Sequence, residues 1–194
     1  MRKIINSTYI SIDGVIQHME NWPSVEGDSE GSYALQSELL LSCDALLMGR
    51  ATYDGFAPVW PTRSGDPYSD HINTMTKYVV SSTLRGPEWN NTKVISEDSI
   101  EAIRQLKEQP GKDIVQYGFG RLSFALMEQG LLDELRLWVH PFFVGQGGGE
   151  SLLYRGCPTT TFDLIDTHVL KSGMVVLSYR YLASTEDSPT EATT

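Results

Sequence analysis

Alternating β-prone and helical runs through residue 130, two strand-to-helix turns made at glycine, and two final β-prone runs around a Ser-Gly turn predict an α/β fold. The expected architecture is a single domain over residues 1–183, with a central mixed β-sheet flanked by helices and an antiparallel C-terminal hairpin. The first glycine turn is the more informative: the apolar run Ala45-Leu46-Leu47-Met48 stops at Gly49 and passes at once into Arg50-Ala51-Thr52-Tyr53. The second is Gly118-Phe119-Gly120-Arg121. With 194 residues, 40% of them hydrophobic, the chain buries a full core in one unit.

Residues 3–12, rich in Ile, Tyr, Ser and Thr, form the first strand, which ends at the turn pair Asp13-Gly14. Residues 17–31 are polar, carry Pro23 and Gly27, and read as a long loop of the functional kind. Helical spacing over residues 33–41 leads into the strand before Gly49. Pro58 and Pro61 make residues 54–66 a loop, rejoined by a short helix over 68–75. Strands follow at residues 77–81 and 92–95. Ser96 or Asp98 caps the next helix, whose Ile100, Ile103 and Leu106 share a face, and Pro110-Gly111 stops it. Residues 113–117 are a strand and 121–129 a helix ended by Gly130. Residues 134–144 are a long β-prone run, 145–149 a glycine-rich turn, and 162–170 with 175–182 the closing hairpin. No Lys-Ser/Thr follows the glycine run, so it is a loop between β segments and not a phosphate loop. Residues 184–194 are small and acidic and are expected to form a disordered tail.

A formal net charge of −10 excludes nucleic acid and anionic membranes as partners, because such binding rests on clustered Lys and Arg. Cys43 and Cys157 show no metal-type spacing and read as small thiols, with no metal site expected. The N-terminus lacks a signal-peptide core and no run is long and apolar enough to cross a membrane, so a cytoplasmic protein is expected.

A glycine that ends a strand and opens a helix exposes unpaired N–H groups at the positive pole of the helix, which favours a bound phosphate. Gly49 admits a ligand to the backbone, Arg50 adds a cation and Thr52 a hydroxyl donor. Ser81-Ser82-Thr83 and Gly118-Phe119-Gly120-Arg121 end two further strands. Ligands of open sheets collect at such ends, and a dinucleotide needs several anchoring points. Arg50 and Arg121, with Ser82 or Thr83, suit an extra ribose phosphate and so favour NADPH over NADH.

These residues carry a family resemblance. Met48-Gly49-Arg50-x-Thr52-Tyr53 resembles the Met-Gly-Arg-x-Thr-aromatic motif of dihydrofolate reductases, and Gly118 to Leu122 resembles their second, glycine-rich cofactor turn. Lys77-Tyr78-Val79-Val80-Ser81-Ser82 resembles their third-strand segment. Ser11-Ile12-Asp13-Gly14-Val15-Ile16, and Gly130-Leu131-Leu132-Asp133-Glu134-Leu135-Arg136-Leu137 before His140-Pro141, are similar to the dihydrofolate reductase-like proteins related to the C-terminal reductase domain of the riboflavin biosynthesis protein RibD. The resemblance implies a dihydrofolate reductase-like fold, NADPH as hydride donor, a small-molecule substrate and a homodimer. Carried over by position, it places Gly49, Arg50 and Thr52 on the cofactor phosphates and Ser81, Ser82 and Thr83 on the adenosine side. Gly118, Phe119, Gly120, Arg121 and Leu122 hold the pyrophosphate, and Ile16 lies near the nicotinamide. Phe119 departs from the pattern, standing where dihydrofolate reductases have a second adjacent glycine, so a weaker or differently posed cofactor is expected.

The reaction implied is hydride transfer to a C=N or C=O carbon with protonation of the acceptor atom. Asp13, Asp28 and Glu30 are the candidate acids. Turn formation for Asp13, and helix capping for Asp28 or Glu30, explain each of them better than catalysis does. Trp22, Tyr53, Phe56 and Trp60 are candidates to wall a planar heterocycle. Arg63, Arg85 and Arg155 are candidates to meet a substrate phosphate. His18 lies on the first loop, His140 is assigned to packing or a subunit contact, and His71 and His168 to the surface. Residues 135–144, with Trp138, Phe142 and Phe143, are either the dimer contact or an interior strand. The leading reading is an NADPH-dependent reductase of a small heterocyclic or imine/carbonyl substrate, resembling 5-amino-6-(5-phosphoribosylamino)uracil reductase. The alternatives are a pterin reductase of the dihydrofolate reductase type and a catalytically inactive nucleotide-binding protein.

Overall fold

The computed structural model describes residues 1–27, 29–145, 148–155 and 159–182. Asp28, Cys157 and the expected tail at 184–194 lie outside the described residues. In chain order the elements are β1 (Ile4–Ser11), α1 (Ser29–Ser42), β2 (Cys43–Gly49), α2 (Arg50–Phe56), α3 (Pro67–Thr74), β3 (Thr76–Val80), β4 (Thr92–Ile95), α4 (Ser99–Glu108), β5 (Asp113–Tyr117), α5 (Arg121–Glu128), β6 (Glu134–His140), β7 (Thr161–Val169) and β8 (Val175–Leu182). One eight-stranded sheet runs β4-β3-β2-β5-β1-β6-β8-β7. β1 to β6 are mutually parallel, and β8 and β7 close the sheet antiparallel, as the expected mixed sheet with a hairpin requires.

β2 reads as a nearly continuous apolar run because both faces of the parallel region are covered. In β2, Leu46 and Met48 point toward Leu39 and Leu40 of α1, Tyr53 of α2 and Ile72 of α3. Their neighbours Ala45 and Leu47 point to the other face, against Ile103 and Leu106 of α4 and Leu126 of α5. The period of two thus divides one strand between two cores, and all of these residues are buried. A third cluster, around Trp138, Leu170, Met174 and Val176, fills the end of the sheet nearer the hairpin.

Several local expectations shift. α1 begins at Ser29 and not at 33, taking Glu30 and Gly31 out of the long loop; Glu30 in the first turn suits the helix dipole. α2 runs to Phe56, so residues 54–56 are helical before the prolines act. β6 stops at His140 because Pro141 brings no N–H to the ladder, which shortens the expected run to 144. Asp98 does hold the N-cap position of α4, but in a left-handed conformation and with no side-chain cap bond. His71 is half-buried and not an ordinary surface residue: its Nε2 lies 2.8 Å from the Cys43 carbonyl oxygen, tying α3 to β2. Trp138 is fully buried and donates to Ser7 Oγ (3.0 Å), so β6 is an interior strand and not an exposed dimer contact; only Phe143 of that run is strongly exposed.

At the start of α3, Asp66 Oδ1 accepts from the Tyr68 and Ser69 N–H groups and from the Tyr33 hydroxyl. The Ser69 hydrogen bonds, with those of Tyr33 and Tyr68, lower its pKa from 3.8 to about 2. Its folded value lies below its unfolded one, so its contribution is full above pH 4 and is lost as pH falls toward 2. Asp66→Asn keeps an acceptor without the titration. The wild type should therefore lose more urea resistance between pH 5 and pH 2.5 than this variant; equal losses would remove the cap from the acid response.

Candidate functional site

Because β1 to β6 are parallel, their carboxyl ends share one edge of the sheet, and the chain presents its glycine turns there. β2 and β5 are neighbours, with Leu47 paired to Gln116, so Gly49 and Gly118 each lie two residues beyond that pair. α2 leaves Gly49 on one face of the sheet and α5 leaves the second turn on the other. That divergence makes a topological switch point, where open α/β sheets form their ligand crevice. Both helices are short, seven and eight residues, so what they offer is the N–H groups of a first turn more than a long dipole.

The two turns touch. Gly118 has φ +78, and a Cβ built on it would lie 2.3 Å from Thr52 Oγ1. A Cβ on Gly49 would meet nothing within 4 Å, leaving open space over that backbone. Beneath the second turn lies a buried polar network. Asn6 Nδ2 donates to Gln116 Oε1 (3.1 Å) and to the Gly118 carbonyl (3.0 Å). Asn6 Oδ1 accepts from Thr8 Oγ1 (2.8 Å), Gln116 Nε2 donates to Ser123 Oγ (3.0 Å), and Ser123 Oγ accepts from Gly120 N–H (3.3 Å). Sequence reasoning missed these residues. The available signal was an amide inside each strand, Asn6 directly after Ile4-Ile5 and Gln116 directly after Ile114-Val115, where a buried amide needs a partner.

Beside the turns, a cavity of about 490 Å³ is lined by Arg50, Ser82, Thr83, Glu97, Asp98 and Arg121, among others. It brings together both arginines and the β3-end hydroxyls singled out from the sequence. Arg50 Nε donates to both oxygens of Asp54 (2.8 Å each), which fixes its guanidinium, and Nη1 reaches Thr83 Oγ1 at 3.5 Å. Ser81 belongs to the turn itself: its Oγ accepts from Thr83 and Leu84 N–H at 3.3 and 3.1 Å. Phe119 turns back onto Phe124, ring centroids 5.2 Å apart, and packs with Leu122 against the α4–α5 core.

The remaining candidates lie around β1. Ile16 is buried, with its N–H donated to Ser151 O at 2.9 Å. Asp13 accepts from Ser11 Oγ (2.5 Å), Val144 N–H (3.1 Å) and Gly145 N–H (2.8 Å). Led by the Ser11 hydrogen bond, these donors lower its pKa to about 2. Asp13 thus clamps the β1 turn to the segment after β6. Glu30 is exposed at the start of α1. Arg155 lies beside the second turn, its Nη2 3.4 Å from a Cβ built on Gly120, whereas Arg85 binds the neighbouring Leu84 carbonyl and Arg63 covers the Trp60 ring.

On the α1–α3 side, next to Gly118, aromatic rings gather. Phe56 contacts Trp60 and Tyr117, Trp60 contacts Tyr68, and Tyr9 and Trp22 both contact His140. The Tyr68 and Tyr117 hydroxyls lie 2.9 Å apart, and Gln36 donates to the Tyr9 hydroxyl. Burial raises the Tyr117 phenol well above its ordinary value and Tyr9 to about 12, so both stay neutral donors. Phe56 and Trp60 therefore share one aromatic group with Tyr68 and Tyr117, whereas Trp22 belongs to a second group with His140 and Phe142. Tyr53 is buried, and its hydroxyl accepts from Glu88 N–H.

A family model described as the RibD C-terminal domain matches residues 2–176. The uncharacterised protein YyaP of Bacillus subtilis (strain 168) is 27% identical over 188 residues, covering 93% of this chain and 95% of that one. Among solved structures, a putative riboflavin biosynthesis protein from Shewanella sp. PV-4 superposes with a TM-score of 0.65 at 19% identity, covering 94% of this chain and 99% of that chain. The Thermotoga maritima diaminohydroxyphosphoribosylaminopyrimidine deaminase/5-amino-6-(5-phosphoribosylamino)uracil reductase superposes with a TM-score of 0.65 at 14% identity, covering 93% of this chain and 57% of that chain. These likenesses bear out the fold.

Proposed function

Since the chain belongs to the RibD C-terminal domain family, we propose that it is an NADPH-dependent reductase of a small heterocyclic or imine/carbonyl substrate, similar in reaction to 5-amino-6-(5-phosphoribosylamino)uracil reductase. The observation that carries this reading is the contact of the two glycine turns at the switch point, beside a cavity holding Arg50 and Arg121. The residues fit a dinucleotide. Gly118 leaves a cradle that a Cβ would fill, Gly49 leaves its backbone open, and the cavity lies where an adenosine ribose would follow a pyrophosphate.

Bound there, the nicotinamide supplies hydride to the electrophilic carbon. The chain's own part is orientation. Backbone N–H groups after Gly49 and Gly118 meet the pyrophosphate, with Thr52 between them. Ser82, Thr83, Arg50 and Arg121 meet the ribose phosphate, and the aromatic wall around Tyr117 excludes water beside the reacting carbon. Proton delivery to the acceptor atom is assigned to Glu30 in the first turn of α1, to Asp28, which lies outside the described residues, or to the neutral phenols of Tyr9 and Tyr117. The exposed apolar residues Leu164, Ile165 and Val169 on the edge strand β7 favour a homodimer over a monomer, to be read by light scattering.

Titrating NADPH while following tryptophan fluorescence tests the reading; no binding at millimolar NADPH would overturn it. Binding without turnover across pterin, pyrimidine and carbonyl substrates would favour a nucleotide-binding protein, and turnover of pterins alone a pterin reductase. Arg50→Ala should weaken NADPH about tenfold and NADH much less, as loss of a charge-assisted bond to the 2′-phosphate requires. Equal losses would take the ribose phosphate away from Arg50.

A further inference from the structure

The cavity that holds Arg50 and Arg121 is also lined by Glu97 and Asp98, which follow the end of β4 beside the β3-end hydroxyls. We propose that this site discriminates only weakly between NADPH and NADH, and that Glu97 and Asp98 are the residues that keep the preference small. The inference rests on the dinucleotide reading above and concerns the ribose end of the same site.

The charge around the cavity is not that of a dedicated phosphate pocket. Two guanidinium groups face two carboxylates, and a third carboxylate, Asp54, already holds Arg50 through both of its oxygens. A ribose 2′-phosphate, carrying close to two negative charges, meets the arginines and the acids together. A 2′-hydroxyl is neutral and donates a hydrogen bond to a carboxylate, the device by which acidic residues at a strand end select NAD. The site thus holds a partner for each ribose.

Asp98 is the more telling of the two acids. It holds the N-cap position of α4, where a carboxylate ordinarily accepts from the first-turn N–H groups, yet it makes no such bond, with φ 45 and ψ 41. Asp98 lines the cavity, and no cap bond ties its carboxylate to the helix. Asn is tolerated in that left-handed conformation as well as Asp, so Asp98→Asn changes charge without changing backbone. Both acids are solvent-exposed, so each acts through a screened field and has a moderate effect.

Calorimetric Kd values for NADPH and NADH, on the full chain and on Glu97→Gln, Asp98→Asn and the double variant, test the proposal. The wild type should prefer NADPH by less than about thirtyfold. Each substitution should raise that preference about threefold, and the two together about tenfold, with NADH binding more weakly than in the wild type. A preference above about thirtyfold in the wild type, or a ratio unchanged in the double variant, overturns the inference while leaving the reductase reading intact. If neither dinucleotide binds, both fall together.

Discussion

Gly118→Ala should lower the unfolding free energy by about 2–4 kcal/mol and abolish dinucleotide binding. A left-handed φ costs an L-residue about 1–2 kcal/mol, and forcing a methyl into a filled site costs about 1–3 kcal/mol. Both apply here: φ is +78, and the new Cβ would sit 2.3 Å from Thr52 Oγ1. Thr52 must rotate or the β5 end must retreat, and either movement separates the two turns that form the crevice. Gly49→Ala is the control. Its φ is −82, in the extended region, and its Cβ meets nothing within 4 Å, so the fold should tolerate it while the methyl takes space assigned to the ligand. Adding Thr52→Ala to Gly118→Ala removes the clashing oxygen but leaves the φ strain, so about half of the lost stability should return. Urea midpoints and NADPH titrations read both effects. Wild-type affinity in Gly118→Ala would remove Gly118 from the cradle.

What could be read along the chain was local. An apolar run stopping at glycine marks a strand end, and so Met48-Gly49-Arg50 and Tyr117-Gly118 stood out before the fold was known. What brings them side by side is strand order: β5 inserts between β2 and β1, a pairing of segments about 70 residues apart that no local period encodes. For the same reason Asp98 stood out only as a possible helix cap and Glu97 not at all, and only the β3–β4 pairing sets them across a cavity from Arg50. Lys77 is a comparable case. It reads as the polar first residue of a strand, yet it is fully buried, with Nζ donating to the Ile72 and Asn73 carbonyls at the end of α3 and lying 4.6 Å from the Trp89 ring centroid. The long stem reaches the unpaired carbonyls of a helix terminus, a need set by the packing of α3 on the sheet. Trp138, whose run the sequence left open between a dimer contact and an interior strand, fills the third core with Leu170, Met174 and Val176.

The network under the second turn gives the other large effect. Asn6→Ala should cost about 2–4 kcal/mol, because a fully buried amide leaves and strands the partners it satisfied. Gln116 Oε1 loses its donor, the Gly118 carbonyl loses the shorter of its two side-chain donors, and Thr8 Oγ1 loses its acceptor. For a chain of this size the melting temperature should fall by about 5–12 °C. The consequence for binding follows from position. Asn6 is the side chain from β1 that holds the Gly118 carbonyl in place, and that carbonyl belongs to the peptide whose rotation sets where the Phe119 N–H points. Released, the peptide samples other orientations, so NADPH affinity should fall about tenfold in a protein that still folds at low temperature. Thr8→Val separates the two effects: it removes one outer donor, costs about 1 kcal/mol and leaves the Gly118 bond standing, so affinity should hold. Should Asn6→Ala lose stability yet bind NADPH as the wild type does, the network would serve the core alone and the second turn would be held by Ser123, whose Oγ lies 3.4 Å from the same carbonyl.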